Sequence, residues 1–158
     1  MPSPSSEDVA VVLPLLVSLV MTLTTIVIHG FALIAGLHAV HREYLLGRAG
    51  IRFWRDVAII AMVTQLALVA HLVAIALWAA VLSLCGEFTH FAGALYESAM
   101  NYTSLGYGDV VMSASWKLLG PLEAANGLLM FGVSTALIFA VIQRLVQSRF
   151  SMGGAGSV

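Results

Sequence analysis

Residues 103–109 read Thr-Ser-Leu-Gly-Tyr-Gly-Asp and lie between two long apolar segments. Glycine adopts positive φ at almost no steric cost, so a stretch in which glycine alternates with other residues can turn successive carbonyl oxygens toward one axis. Rings of carbonyl oxygens can replace the water shell of a cation. The apolar run just before this stretch is too short to cross a bilayer. Together these features predict that residues 103–109 line an ion-selective pore.

The composition places the chain in a membrane. Of its 158 residues, 60% are hydrophobic and only 9% are charged, which is too little polar surface for a soluble domain. The net charge of -1 argues against a nucleic-acid partner, which needs a basic face. The single cysteine, Cys85, excludes an intrachain disulfide, and we expect it to be buried. Glu7 and Asp8 precede the first apolar run without a basic residue, so we expect no removable signal peptide.

The predicted fold is all-α, because three apolar segments exceed the roughly 20 residues needed to cross the hydrocarbon core. We expect an extracellular N-terminal segment over residues 1–8, a first transmembrane helix over residues 9–39 and a basic cytoplasmic loop over residues 40–56. A pore domain over residues 57–144 and a flexible cytoplasmic tail over residues 145–158 follow. The pore domain divides into an outer helix (57–85), a pore helix (91–102), a filter loop (103–109) and an inner helix (115–144).

Residues 91–102 are predicted to be a re-entrant helix. Glu87, His90 and Glu97 interrupt the apolar pattern and leave too little chain for a further crossing. At roughly 1.5 Å per residue, such a helix reaches about 18 Å, little more than half of the core. Non-helical backbone at that depth must be buried in protein or line a watery cavity. A pore supplies that cavity.

The arginines predict the orientation in the membrane. All of them lie between the first two spans or after the last one, at Arg42, Arg48, Arg52, Arg55, Arg144 and Arg149. The positive-inside rule places them in the cytoplasm, so we expect residues 103–109 to enter a plasma (inner) membrane from outside. The four arginines of the basic loop are also candidates for binding anionic lipid headgroups.

Residues 104–109 resemble the potassium-channel signature T-V-G-Y-G-D, with Ser104 in place of threonine and Leu105 in place of valine. The resemblance covers residues 57–144, the two-helix pore unit, and leaves the first helix unmatched. It implies that the Tyr107 ring packs against the pore helix, that Asp109 lies at the extracellular mouth and that Thr103 belongs to the junction between helix and filter.

The expected ligands are potassium ions in the filter rather than an organic cofactor. The ion-facing groups would be the Ser104 hydroxyl and the backbone carbonyls of Ser104, Leu105, Gly106 and Tyr107, with Gly108 completing the filter. Each chain offers one oxygen per layer, so a full cage requires a homotetramer with four-fold symmetry. Serine lacks the methyl group that restrains the threonine rotamer, which leaves a less selective cation channel as an alternative.

Two carboxylates in the pore domain need partners. Glu97 either braces the filter through a hydrogen bond or reaches water at the outer vestibule. Lys117 is close enough in sequence to pair with Glu123.

The inner helix contains further candidates. Gly127 and Gly132 permit either bending or close packing. Residues expected to line the cavity or its inner constriction are Phe131, Ser134, Thr135 and Ile138.

The histidines allow a different class of function, a small haem- or metal-binding membrane protein. His29 and His71 would be the haem ligands, and His38 and His41 a metal pair. Counted from the cytoplasmic ends of their helices, His29 and His71 differ in depth by about 7 Å, which favours histidines bonded to neighbouring helices. A non-conducting accessory subunit is another alternative. The sequence contains no order of residues typical of an enzyme active site, so we expect no enzymatic activity.

Overall fold

The computed structural model describes the backbone of residues 6–46 and 53–154, and the side chains of residues 11–46 and 53–148. These residues form four helices, namely α1 (Ser6–Leu45), α2 (Phe53–Leu84), α3 (Phe91–Tyr102) and α4 (Leu119–Gly154). Three segments within them are long and apolar enough to cross a membrane, Val11–Leu45, Phe53–Leu84 and Leu119–Ser148. The predicted all-helical, multi-pass membrane fold is therefore confirmed.

Three helices are longer than predicted. α2 begins at Phe53, within the predicted basic loop, instead of at residue 57. α1 continues to Leu45 and so takes in the start of the predicted basic loop, while α4 continues to Gly154 where the sequence predicted a flexible tail from residue 145. The tail prediction was wrong because Leu145 is buried in an apolar cluster and Ser148 bonds to Tyr44. Once a helix is nucleated, each added residue needs little further stabilisation. Residues 1–5, Arg48, Arg52 and residues 155–158 lie outside the described residues, as does the side chain of Arg149.

α4 also begins later than predicted, at Leu119 instead of residue 115. The N–H groups of Trp116 and Lys117 both donate to the carbonyl of Ser113, which holds the preceding residues in a turn.

α3 occupies the same twelve residues that the sequence predicted. The chain reaches it through a turn in which Gly86 has a φ of 80°, a conformation that favours glycine. Gly86 N–H donates to Ser83 and Glu87 N–H donates to Leu82, so the last carbonyls of α2 are satisfied at this turn. The turn therefore ends α2 and lets a short separate helix begin.

The chain packs as two compact units, the first made of Met1–Ile28 and His71–Phe131. Its apolar core contains Met21 from α1 together with residues of all three other helices, such as Trp78, Tyr102 and Met130. The buried positions of α1 recur at helical spacing, at Pro14, Ser18, Met21 and Thr25. The part of α1 that precedes His29 is thus an integral part of this unit.

The second unit is made of His29–Ala70 and Gly132–Val158. Its apolar core is formed by Val40, Ile59, Val63, Leu137, Val141 and Leu145. The Tyr44 hydroxyl donates to the carbonyl of Arg144 at 2.7 Å and so ties α1 to α4. Arg55 forms an ion pair with Glu43 at 3.3 Å, which joins α2 to α1.

Candidate functional site

The backbone alternates in hand along residues 104–108. Ser104, Gly106 and Gly108 have φ values of 59°, 47° and 73°, while Leu105 and Tyr107 have ordinary negative φ. In a chain of alternating hand, successive carbonyls lie on one side, whereas in a regular strand they point to opposite sides. Such a loop can present a row of oxygens. Ser104 is the only non-glycine residue with positive φ in the described part of the chain, which costs about 1–2 kcal/mol.

The start of this loop is fixed to the end of α3. Ser104 N–H donates to Asn101 O at 2.8 Å, and the N–H groups of Leu105 and Gly106 both donate to Met100 O, at 3.0 and 3.2 Å. The Thr103 hydroxyl donates to Ala99 O at 2.6 Å, at the predicted junction between helix and loop. These bonds use carbonyls that the helix end would otherwise leave free. They hold Ser104 in its costly conformation.

The far end of the loop is also bonded to α3. The Tyr96 hydroxyl donates to Asp109 Oδ2 at 3.1 Å, and this hydrogen bond raises the pKa of Tyr96. Between the two anchored ends, the side chains of Leu105 and Tyr107 are 56% and 72% exposed in the single chain. The packing of the Tyr107 ring against a pore helix stays a prediction.

A second tether joins the turn before α3 to the segment after the loop. The Glu87 carboxylate accepts hydrogen bonds from Ser113 N–H at 2.8 Å and from the Ser113 hydroxyl at 2.5 Å. Nearby Cys85 is half-buried, not fully buried as expected. Burial, and secondarily the charge of Glu87, raise the pKa of its thiol.

Glu97 does not reach water in the single chain, because its side chain is only 7% exposed. Burial raises the pKa of its carboxyl group, and the Asn101 side chain, one turn further along α3, opposes that shift. Glu97 is thus buried in the single chain, and its predicted bracing of the filter stays a prediction.

A group of buried polar atoms, which we call the Ser98 cluster, joins α2, α3 and α4. Ser98 Oγ lies 2.6 Å from Glu123 Oε1 on α4 and 2.8 Å from the backbone oxygen of Ile75 on α2. Ser98 and Glu123 are both fully buried. The predicted pairing of Glu123 with Lys117 is wrong, because α4 begins at Leu119 and leaves Lys117 in the exposed turn before it.

The two candidate glycines of α4 differ in their surroundings. A Cβ added at Gly127 would lie 1.9 Å from the backbone oxygen of Tyr102, so only glycine permits this contact between α4 and the end of α3. A Cβ added at Gly132 would meet no atom within 4 Å. Of the two predicted roles, close packing therefore applies at Gly127.

The other candidates of α4 lie in different surroundings. Phe131 stacks on His71 at 4.2 Å between ring centroids and meets the Tyr102 ring edge-on at 5.8 Å. His71 Nδ1 also lies 3.3 Å from the Tyr102 hydroxyl, so His71 takes part in packing behind the loop. In the second unit, Ser134 is buried, Ile138 packs on the apolar core and Thr135 is exposed.

The histidines proposed as metal ligands have other contacts. His38 Nδ1 bonds to Ile34 O at 2.9 Å within α1. His29 lines a small cavity together with mostly apolar side chains, such as Ala32 and Leu33. Among the described residues, no group of three or more His, Cys, Asp or Glu side chains is placed to hold a metal ion.

Comparison with known proteins gives one family for the segment that contains this loop. Residues 70–144 match a family model described as "Ion channel". The match takes in α3, the loop and most of α4, but not α1. Neither the curated proteins nor the solved structures give a match to the chain.

Proposed function

We propose that this multi-pass membrane protein is a potassium-selective channel, because residues 70–144 match a family model described as "Ion channel". Its filter would consist of residues 104–108 from four identical chains around one axis. The observation that supports this most directly is the positive φ at every second residue, Ser104, Gly106 and Gly108, immediately after a short helix. That backbone can place the carbonyls of residues 104–107 in successive rings, and the Ser104 hydroxyl adds an innermost ring.

The exposure of the loop supports the tetramer. Leu105 and Tyr107 are more than half exposed in the single chain, although each is a large side chain in the middle of a strongly apolar protein. One chain also supplies only one oxygen to each ring, whereas a dehydrated ion needs a cage of several. Four chains meeting at the loop would complete the cage and cover both side chains.

The end of α3 would assist ion entry. The carbonyl end of this helix, which carries the partial negative charge of the helix dipole, lies at the start of the loop. A cation in the cavity below the filter would be stabilised there. Adjacent rings would let several ions share the filter and repel one another, so tight coordination is compatible with rapid passage.

We also propose that Arg42 and its neighbours in the basic loop contact anionic lipid headgroups on the cytoplasmic side. Arg55 is the exception among the described arginines of this loop, because its guanidinium is paired with Glu43. Each free basic side chain near an anionic surface contributes about 1 kcal/mol of attraction. Flux in vesicles with and without anionic phospholipid tests this, and no difference would contradict it.

The test of the main proposal is ion flux from liposomes that contain the purified protein. We expect flux under a potassium gradient, much less under an equal sodium gradient, and none from Gly106→Ala, because alanine disfavours the φ of 47°. Gly30→Ala is the matched control, since a Cβ there meets no atom within 4 Å. Equal sodium and potassium flux would leave a cation channel without selectivity. Unchanged flux in Gly106→Ala would remove the loop from the mechanism.

A further inference from the structure

The Ser98 cluster contains one hydrogen too few if Glu123 is ionised. Ser98 Oγ lies at hydrogen-bonding distance from two oxygens, 2.6 Å from Glu123 Oε1 and 2.8 Å from Ile75 O. A hydroxyl has a single proton to donate, while a backbone carbonyl and a carboxylate only accept. One of the two short contacts would then bring two oxygens together without a proton, at distances typical of O–H···O hydrogen bonds.

Rotation of an ionised carboxyl group cannot supply the missing hydrogen. Thr25 shows the contrast, because its hydroxyl also lies close to two oxygens, those of Thr22 at 2.9 Å and of the Asn126 amide at 3.0 Å. Turning the Asn126 amide by 180° presents its NH2 group to Thr25, and each of the two short contacts then contains a hydrogen. Both oxygens of an ionised carboxyl are acceptors in either orientation.

The surroundings of Glu123 also disfavour a charge. Its side chain is fully buried, and its second oxygen, Oε2, is among the buried polar atoms for which the described residues provide no hydrogen-bond partner. An ionised carboxylate in such a place requires a cation or several donors. Besides Ser98, the Asn101 side chain on α3 acts on this carboxyl group, but among the described residues no basic side chain is paired with it. Lys117, the nearest basic residue in sequence, lies in the exposed turn before α4.

We propose that Glu123 is held as a neutral carboxylic acid whose proton completes a brace across three helices behind the filter. The acid O–H donates to Ser98 Oγ, and the Ser98 hydroxyl donates to Ile75 O. Every short contact of the cluster then contains a hydrogen. The brace connects α4, α3 and α2 in a single chain of bonds.

This brace positions the loop, and in that respect the inference rests on the proposed function. Ser98 lies on α3, two and three residues before Met100 and Asn101, whose carbonyls anchor the first residues of the loop. Glu123 itself touches none of residues 104–108 in the described contacts, so it is a positioning residue. Its ionisation would place a charge beside Ser98 and Ile75 and push α3 away from its neighbours.

Other titratable groups face this position. On α3 they are Glu97, which acts on Glu123 electrostatically, and Tyr102. On α2, His71 bonds to the Tyr102 hydroxyl. From α1, Thr25 contacts α4 at Asn126, and neither of these side chains titrates in the usual range. A second carboxyl nearby makes it still harder to ionise Glu123.

The first experiment measures the proton directly by infrared spectroscopy of the protein in liposomes. At about pH 7, where an ordinary glutamate is ionised, we expect a carboxylic-acid C=O band that is absent in Glu123→Gln. Glu43→Gln, which removes a partly exposed carboxylate of the second unit, should keep the band. If Glu123→Gln leaves the spectrum unchanged, Glu123 is ionised and the proposal is overturned, whether or not the protein conducts.

The second experiment measures flux as a function of pH. Once Glu123 ionises at alkaline pH, the protonated fraction falls about tenfold per pH unit, and we expect the flux of the wild type to fall with it. Glu123→Gln supplies an uncharged N–H donor in place of the acid O–H, so its flux should stay within about twofold over the same range. Glu43→Gln should lose flux as the wild type does.

Two further outcomes separate the proposals. If the band is present but no variant passes ions, the protonated brace stands and the channel proposal fails. If Glu123→Gln loses flux at alkaline pH as steeply as the wild type, the brace does not position the loop. Ser98→Ala provides an independent check, because it removes the acceptor of the acid proton and should shift the band to the frequency of an unbonded acid. An unshifted band would overturn the assigned partner.

Discussion

Replacement of Gly127 by alanine tests how closely α4 must approach the end of α3. The added Cβ would lie 1.9 Å from the Tyr102 backbone oxygen, 2.9 Å from its carbonyl carbon and 3.2 Å from its Cα. All three are backbone atoms, so no side chain can rotate away. Ordinary contact begins at 3.4 Å, and the helix end must therefore retreat by at least 1.5 Å, the difference between 3.4 and 1.9 Å.

The cost of this retreat follows from what surrounds Tyr102. Its side chain is fully buried and packs edge-on against His71 and Phe131, so moving it loses close contacts on two sides. Overpacking of a tight core costs about 3 kcal/mol at the upper end of its usual range, and the helix propensity of alanine over glycine returns about 1 kcal/mol. A net loss of about 2 kcal/mol lowers the transition temperature of a chain of this length by about 4–8 °C.

The assay follows thermal unfolding of the purified protein in detergent, together with potassium flux in liposomes. Thr103 follows Tyr102 directly, so the displacement reaches the loop, and we expect Gly127→Ala to lose most of its flux as well. Gly30→Ala, which meets no atom within 4 Å, should unfold at the wild-type temperature or slightly above it. A transition temperature and a flux for Gly127→Ala equal to those of the wild type would refute the reasoning.

Two other changes test the ends of the loop. Tyr96→Phe removes the hydroxyl that donates to Asp109, so we expect a lower ratio of potassium to sodium flux with little change in thermal stability. Tyr44→Phe, which removes a hydroxyl in the second unit, should keep the ratio, and equal ratios in both variants would contradict the role of the Tyr96 bond. Because burial and Glu87 raise the pKa of Cys85, its thiolate fraction is low at neutral pH, and maleimide should react with it more slowly than with a free cysteine. The rate should rise with pH, and Glu87→Gln should increase it at any fixed pH below that pKa, whereas equal rates would show that the charge of Glu87 has no effect.

The spans, the short helix and the glycines of the loop were predictable, because each depends on residues close together in sequence. The length of an apolar run decides whether a helix can cross a membrane, and the interruptions at Glu87 and Glu97 decide that α3 cannot. The glycines at 106 and 108 mark where positive φ is cheap. The left-handed conformation of Ser104 was not predictable in this way, since it is imposed by hydrogen bonds to the end of α3.

Contacts between distant segments account for the remaining differences. Glu123 in an apolar helix signals that a partner must exist, but nothing in the sequence distinguishes Ser98, 25 residues away, from the closer Lys117. Gly127 and Gly132 look equivalent in sequence, and only the position of Tyr102 separates them. Likewise, the extra turns of α4 depend on Leu145 and Ser148 finding neighbours on other helices.

The bond between Thr25 and Asn126 has a consequence for any attempt to shorten this protein to α2, α3, the loop and α4. Asn126 is only 2% exposed, and Thr25 of α1 covers it at 3.0 Å. A truncated chain without α1 would present a bare amide to lipid tails, where an unsatisfied polar group costs several kcal/mol. Trimming would succeed only if an aliphatic residue replaced Asn126 at the same time, so natural shortening of this chain would need two coordinated changes.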